Sequence, residues 1–301
     1  MIDYDPQSWT SHLCDVRGSM VRDIMYRVVI CVVWSGVVVT VHTYAAQPAG
    51  VSLAIPETAH VLIGVALGLL LVFRTNASYD RFWEGRKLWG GIVNESRNLG
   101  RLVSVQLAGD PALARRVLGW TSIFARATMH QLRGTSLPLD AWDDLPSDAV
   151  RSAAESRHPP IEIAKQMTSG LDEARRRELI TDILFTQADA NVQQLVDYLG
   201  GCERIHKTPL PFAYVVHLRR ALILYCYTLP FALVERFGWH AVTATLLITY
   251  ILTGIEEIGV EIEDPFEGSD NDLPLEDICV TVDANLRQIA DGLPQPDLSR
   301  R

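Results

Sequence analysis

The sequence contains no CxxC pair, no excess of basic charge and none of the loop signatures that mark the common catalytic folds. Its five cysteines, Cys14, Cys31, Cys202, Cys226 and Cys279, stand far apart and are odd in number, which excludes a disulfide framework and a zinc ribbon. Lys and Arg total 27 against 36 Asp and Glu, a formal net charge of −9, and lysine is scarce; no nucleic-acid partner is expected. A Walker A loop, a GxGxxG following a strand, HExxH and GxSxG are all missing, so an enzyme is not expected. Strand-type alternation is absent throughout, which leaves an all-α chain. The opening MIDYDPQSW carries acids where a secretory leader carries basic residues, so the first apolar run is expected to remain in the mature protein.

What the chain has in quantity is apolar residues. Hydrophobic types make up 48% of the 301 residues and charged types 21%, too apolar for disorder. They gather in two pairs of runs, Val28 to Ala45 with Thr58 to Phe73, and Ala221 to Val234 with Phe237 to Ile255. The first run approaches the ~20 residues that span a bilayer. The second covers only about 24 Å at 1.5 Å per residue, so its helix is expected to continue past Arg74. Pro230 interrupts the third. Only Glu235 and Arg236 separate it from the fourth, and the two read as a helical hairpin.

Charge placement agrees. The stretch from Ala46 to Glu57 has no Lys or Arg, whereas Arg17, Arg22 and Arg27, then Arg74, Arg81, Arg86 and Lys87, then Lys207, Arg219 and Arg220 flank the other ends of the runs. By the positive-inside rule those flanks and both termini lie in the cytoplasm, and four crossings of a cell (inner or plasma) membrane satisfy the pattern. The expected organisation is an N-terminal cytosolic segment over 1–23, a first transmembrane hairpin over 24–73, a cytosolic helical region over 74–220, a second hairpin over 221–255, and an acidic C-terminal segment and tail over 256–301. The competing reading is a soluble all-helical protein with apolar core helices. Within the cytosolic region, helices are expected over Asn76 to Leu107, Ala112 to Leu132 and Glu173 to Leu199. Loops are marked at Gly134 to Pro138, Asp143 to Ser147 and His158 to Pro160, and a disordered tail from Gly292.

Three constellations could carry function. Val65, Leu69 and Phe73 recur every four residues, a stripe that faces lipid or neighbouring helices in one reading and a hydrophobic pore constriction in the other. Gly64 and Gly68 form a GxxxG on an adjoining face, where small residues permit close helix packing. The acidic string from Glu256 to Asp277 suits a hard cation or a solvated face, but lacks EF-hand spacing. Cys202, Glu203 and His206 lie together, yet no second Cys/His pair completes a metal site and nothing completes a triad, so capping and packing are their expected roles. A membrane channel and a membrane transporter or receptor remain as functions.

The strings FRTNASYDRFWEGRKLWG (Phe73 to Gly90), GCERIHKTPLPFAYVVHLRR (Gly201 to Arg220) and EIEDPFEGSDNDLPLEDIC (Glu261 to Cys279), in this order, resemble the bestrophin family in its shorter prokaryotic branch. The resemblance covers nearly the whole chain. It implies a homopentamer of helical subunits around one pore, embedded in a lipid bilayer and passing ions passively.

It assigns Val65, Leu69 and Phe73 to a narrow apolar neck on the second membrane helix, and Ile183 to a second constriction at the cytosolic aperture. It also implies a possible calcium clasp of Asp264, Asp270 and Asp272, with Asp272 the expected metal ligand; Ser269 stands where another carboxylate belongs, so weak or absent Ca²⁺ gating is expected and no cofactor is required. The permeant monovalent ion stays open. Animal relatives pass chloride, whereas the acidic charge favours sodium or another cation. Gating is expected as wetting and dewetting of the neck.

Overall fold

A computed structural model describes residues 20–139 and 145–294, and every regular element among them is helical. The chain forms two compact units. Among the described residues one comprises 20–82 and 209–264, the other 83–139, 145–208 and 265–294. The expected limits at 73/74 and 220/221 fall inside continuous helices, because an apolar run that ends at an arginine need not end its helix there.

In the first unit α1 (Val21–Val41) continues through one π-helical turn, His42–Ala46. The first part of α2 (Glu57–Gln106), α7 (Phe212–Phe237) and α8 (His240–Glu261) complete it. Helix α1 packs on α7 and α8, and α7 packs on α8. Leu67 and Leu71 of α2 are buried against Leu218, Leu222 and Cys226 of α7 and Cys31 of α1. Between these helices the Ser35 and Thr245 hydroxyls lie 3.2 Å apart, and Trp34 Nε1 donates to the Tyr227 carbonyl at 3.0 Å. Such pairing is needed where no water reaches. The turn between α7 and α8 lies at Gly238, whose φ of +52° L side chains rarely adopt. It is not at Glu235 and Arg236, which still belong to α7.

Among the described residues three helices are long and apolar enough to cross a membrane: Val21–Ala46, Glu57–Gln106 and His240–Glu261. Helix α7 falls short because its uncharged stretch, Ala221 to Val234, spans only about 21 Å at 1.5 Å per residue.

The second unit contains the rest of α2, with α3 (Pro111–Leu132), α4 (Ser147–Ala154), α5 (Pro159–Arg176), α6 (Asp182–Lys207) and α9 (Leu275–Asp291). Helix α3 packs on both α5 and α9, and α5 on α6. Asp110 caps α3 by accepting from the Leu113 amide at 3.1 Å, with Pro111 at the first turn, where its missing N–H costs nothing. Trp89, Ile92 and Leu99 of α2 are fully buried. Gly91 sits so close to Tyr198 that a Cβ would stand 2.5 Å from the ring.

The single helix expected over Glu173 to Leu199 is two helices. The chain breaks after Arg176, passes through Glu178 at φ +60°, and restarts at the Thr181 cap, whose hydroxyl accepts from the Leu184 amide at 3.3 Å. Helix α9 was not expected, its residues falling within the expected acidic segment and tail; it buries Leu275, Cys279, Val282 and Leu286. Of the loop expected at Asp143 to Ser147, Leu145 and Pro146 are irregular and Ser147 begins α4, while Asp143 and Asp144, like most of the tail from Gly292, lie outside the described residues.

Candidate functional site

Helix α2 has two faces of opposite character. On one, Leu67, Leu71, Arg74 and Ser78 are buried. On the other, Leu62, Val65, Leu69, Val72 and Phe73 are open, Val65, Leu69 and Phe73 at 69%, 56% and 57%. Burial of the first face anchors the helix and thereby aims the stripe away from its own subunit. The stripe then changes chemistry. Seven residues after Leu69 and Phe73, about two helical turns, the same face carries exposed Asn76 and Asp80. Ile183, at the second position of α6, is 80% exposed. The two glycines of the GxxxG differ: a Cβ on Gly64 would meet the Tyr225 hydroxyl at 2.7 Å, whereas Gly68 has nothing within 4 Å. Only Gly64 serves packing within the chain.

Directly after the stripe, Arg74 turns inward and is 1% exposed. Its Nη1 donates to Glu256 Oε1 at 2.8 Å, and Arg219 Nε donates to the same oxygen at 2.9 Å. Arg27 Nη1 lies 3.4 Å from Glu256 Oε2 and 2.7 Å from Glu257. Glu263 stands 3.7 Å from Arg74 Nη2, accepts from the Leu210 amide at 2.9 Å, and receives Arg81 Nε on its backbone carbonyl at 2.8 Å. One buried carboxylate thus joins α1, α2, α7 and α8. Sequence reasoning missed this cluster by reading Glu256, Glu257 and Glu263 as part of one acidic string, suited to a hard cation or a solvated face. Arg27 directly before the first run and Glu256 directly after the fourth were the available signal, since charges next to membrane depth are kept only with partners.

The rest of the acidic string does not gather either. Among the described residues no three His, Cys, Asp or Glu side chains group as a metal site. In the loop after Phe266, Asp272 is 2% exposed and its Oδ2 accepts the amides of Gly268 and Ser269, both at 2.7 Å. A carboxylate oxygen that already receives two N–H groups is a turn closer, and amide hydrogens aimed at it oppose a cation in the same place. With Ser269 in place of a further carboxylate, these residues do not fit a Ca²⁺ ion.

Gly268 adopts φ +99°, and a Cβ there would lie 3.1 Å from the Arg133 guanidinium, which also donates to the Phe266 carbonyl at 3.2 Å and pairs with Glu276. That hydrogen bond holds the Glu276 carboxyl below its ordinary range. Gly268→Ala is expected to destabilise the protein by about 1–3 kcal/mol through backbone strain, seen as a lower melting temperature in detergent.

Cys202 is buried and desolvation pushes its thiol up to about 12, so it is no nucleophile at neutral pH. Glu203 instead joins His158 Nε2 at 2.8 Å and Lys207 at 3.3 Å. The string around Cys202, Glu203 and His206 is therefore helix end and packing, as its spacing suggested.

The described architecture can be set beside known proteins. The family model of the bacterial and fungal bestrophin protein matches residues 1–288. The chain belongs to the bestrophin family. A voltage-dependent anion channel-forming protein of Synechocystis is 39% identical over 298 residues, 98% of this chain and 95% of that protein. One of Escherichia coli K12 is 35% identical over 235 residues, 78% of this chain and 77% of that protein. The crystal structure of a bacterial bestrophin homologue from Klebsiella pneumoniae superposes with a TM-score of 0.83 at 31% identity, covering 90% of this chain and all of that one. The bestrophin chain described here is thus a helical membrane protein of a channel family.

Proposed function

We propose that this bestrophin is a homopentameric ion channel that passes small monovalent ions passively, with Val65, Leu69 and Phe73 lining a hydrophobic neck and Ile183 a second ring at the cytosolic aperture. The observation that carries the proposal is the exposed apolar stripe of α2, which one subunit leaves uncovered while its opposite face is fully packed. Five such stripes around an axis make a tube without fixed charge, and ions cross it by partial dehydration and by wetting of the neck. Helix α7 supplies the fourth crossing, with the bilayer accommodating its short apolar stretch by tilt, thinning or snorkelling of the flanking Arg219, Arg220 and Arg236. Four crossings then place the basic flanks and both termini in the cytoplasm of a cell membrane.

Kinship with anion channel-forming proteins favours chloride. Sodium is the second reading, favoured by exposed Asp80 on the face of α2 that continues from Phe73. The purified protein in a planar bilayer under an NaCl gradient is expected to give single-channel currents. A reversal potential near the chloride equilibrium value supports anion flux, and one near the sodium value supports the Asp80 reading. Saturable, coupled flux without unitary currents would replace the channel by a transporter, and no flux at all by a receptor.

Opening is proposed to be independent of Ca²⁺. Chelation with EGTA is expected to leave open probability unchanged, and a reversible loss of current on chelation would restore Asp272 as a metal ligand.

A further inference from the structure

A second cavity, unrelated to the neck, opens in the first unit between α1, α7 and α8. It has a volume of about 350 Å³. One end is ionic, lined by Arg27, Arg219 and Glu256, and the other is apolar, lined by residues such as Ile30, Leu222, Ile223 and Cys226. From Arg219 to Tyr227 the wall follows α7 for about 12 Å along the helix. The cavity therefore has the two-part chemistry of an amphiphile rather than that of an ion path.

Its ionic end is incompletely used. Arg219 is half exposed and gives only its Nε to Glu256, so its two terminal nitrogens have no protein acceptor among the described residues. Arg27 gives Nε to the Tyr26 hydroxyl and Nη1 to Glu256 and Glu257, which leaves Nη2. The lining thus sets two guanidinium groups against one carboxylate, and Glu256 is held from behind by buried Arg74. Guanidinium donors in this fork geometry suit a phosphate. The basic flanks put this end at the cytoplasmic face of the membrane, where an anionic headgroup sits at the level of the arginines and its acyl chain at the level of Ile223.

We propose that the cavity binds an anionic phospholipid of the cytoplasmic leaflet, its phosphate on Arg219 and Arg27 and an acyl chain between α1 and α7. The proposal rests on the membrane placement given above but not on ion conduction, so it can fail while the channel reading stands.

The test is thermal denaturation of the full-length protein in mild detergent with dioctanoyl phosphatidylglycerol, dioctanoyl phosphatidylcholine or inorganic phosphate added. Phosphatidylglycerol is expected to raise the melting temperature by several degrees, with phosphatidylcholine and phosphate having little effect. Arg219→Gln removes the headgroup donors, and Ile223→Trp fills the apolar end without touching an ion pair. Each is expected to abolish the phosphatidylglycerol shift. Should Arg219→Gln not fold, Arg219→Lys, which keeps the charge but loses the fork, is expected to weaken the shift. An equal shift with phosphatidylcholine, an equal shift with phosphate alone, or an undiminished phosphatidylglycerol shift in Ile223→Trp would each overturn the proposal, the second in favour of a free anion.

Discussion

Replacing Leu69 or Phe73 by Ala is expected to raise the unitary conductance severalfold in reconstituted bilayers, with little change in thermal stability. Both halves of that result follow from the same geometry. Leu69 and Phe73 are more than half exposed within the subunit, so truncating them removes little intrasubunit packing. In a pentamer each substitution acts five times on one ring, widening the constriction and shortening the dry stretch that an ion must cross. Leu71→Ala, on the buried face two residues from Leu69, should do the reverse. It costs about 2–5 kcal/mol of stability through a core cavity, and its effect on conductance is secondary. If Leu69→Ala and Phe73→Ala leave the single-channel current unchanged, these residues face lipid and the neck lies elsewhere.

Glu256→Ala is expected to be the most destabilising single substitution in the membrane unit. Arg74 and Glu256 are both almost wholly buried, and removal of the carboxylate takes away the 2.8 Å partner of the guanidinium and leaves it only Glu263 at 3.7 Å. Breaking such a pair costs about 3–5 kcal/mol, enough to lower the melting temperature sharply or to prevent assembly. Glu257→Ala is the natural comparison. Its partner Arg27 is 36% exposed and can turn to water, so a loss of about 0–1 kcal/mol is expected. The double substitution Arg74→Met with Glu256→Leu should recover most of the stability lost by Glu256→Ala, because it removes both buried charges together while Arg27 and Arg219 remain solvated. A double variant as unstable as Glu256→Ala would mean that the cluster contributes through Arg219 and Arg27 instead.

Much of this protein was legible in its residues. Periodicity and run length gave the helical class, the continuation of α2 past Arg74, and the face carrying Val65, Leu69 and Phe73, because position on a helix is fixed by spacing alone. Helical character gave α3, expected from Ala112 and beginning at Pro111, whereas α5 was not expected: its first residues, Pro159 and Pro160, read as part of a loop although a proline is also at home in the first turn of a helix. Resemblance of three strings gave the family.

Other features required the packed chain. Composition could not say which acids face which bases, and the string from Glu256 to Asp277 read as one acidic tract. Folded, it divides into an ion cluster with Arg74, Arg27 and Arg219, a turn closed by Asp272 and a helix start facing Arg133. Likewise Gly64 and Gly68 are equivalent in the sequence, yet only Gly64 meets Tyr225, since a glycine's partner is chosen by the helix that happens to lie opposite. The sequence by itself determined what is set by contacts within a few residues: helix, face, cap and membrane-length run. The tertiary structure alone decided what depends on residues more than a hundred positions apart. Those are the pairing of Glu256 with Arg74 and Arg27 and the placing of α1 against α7 and α8 around the cavity, because burial makes each buried charge take whichever partner the fold brings within reach.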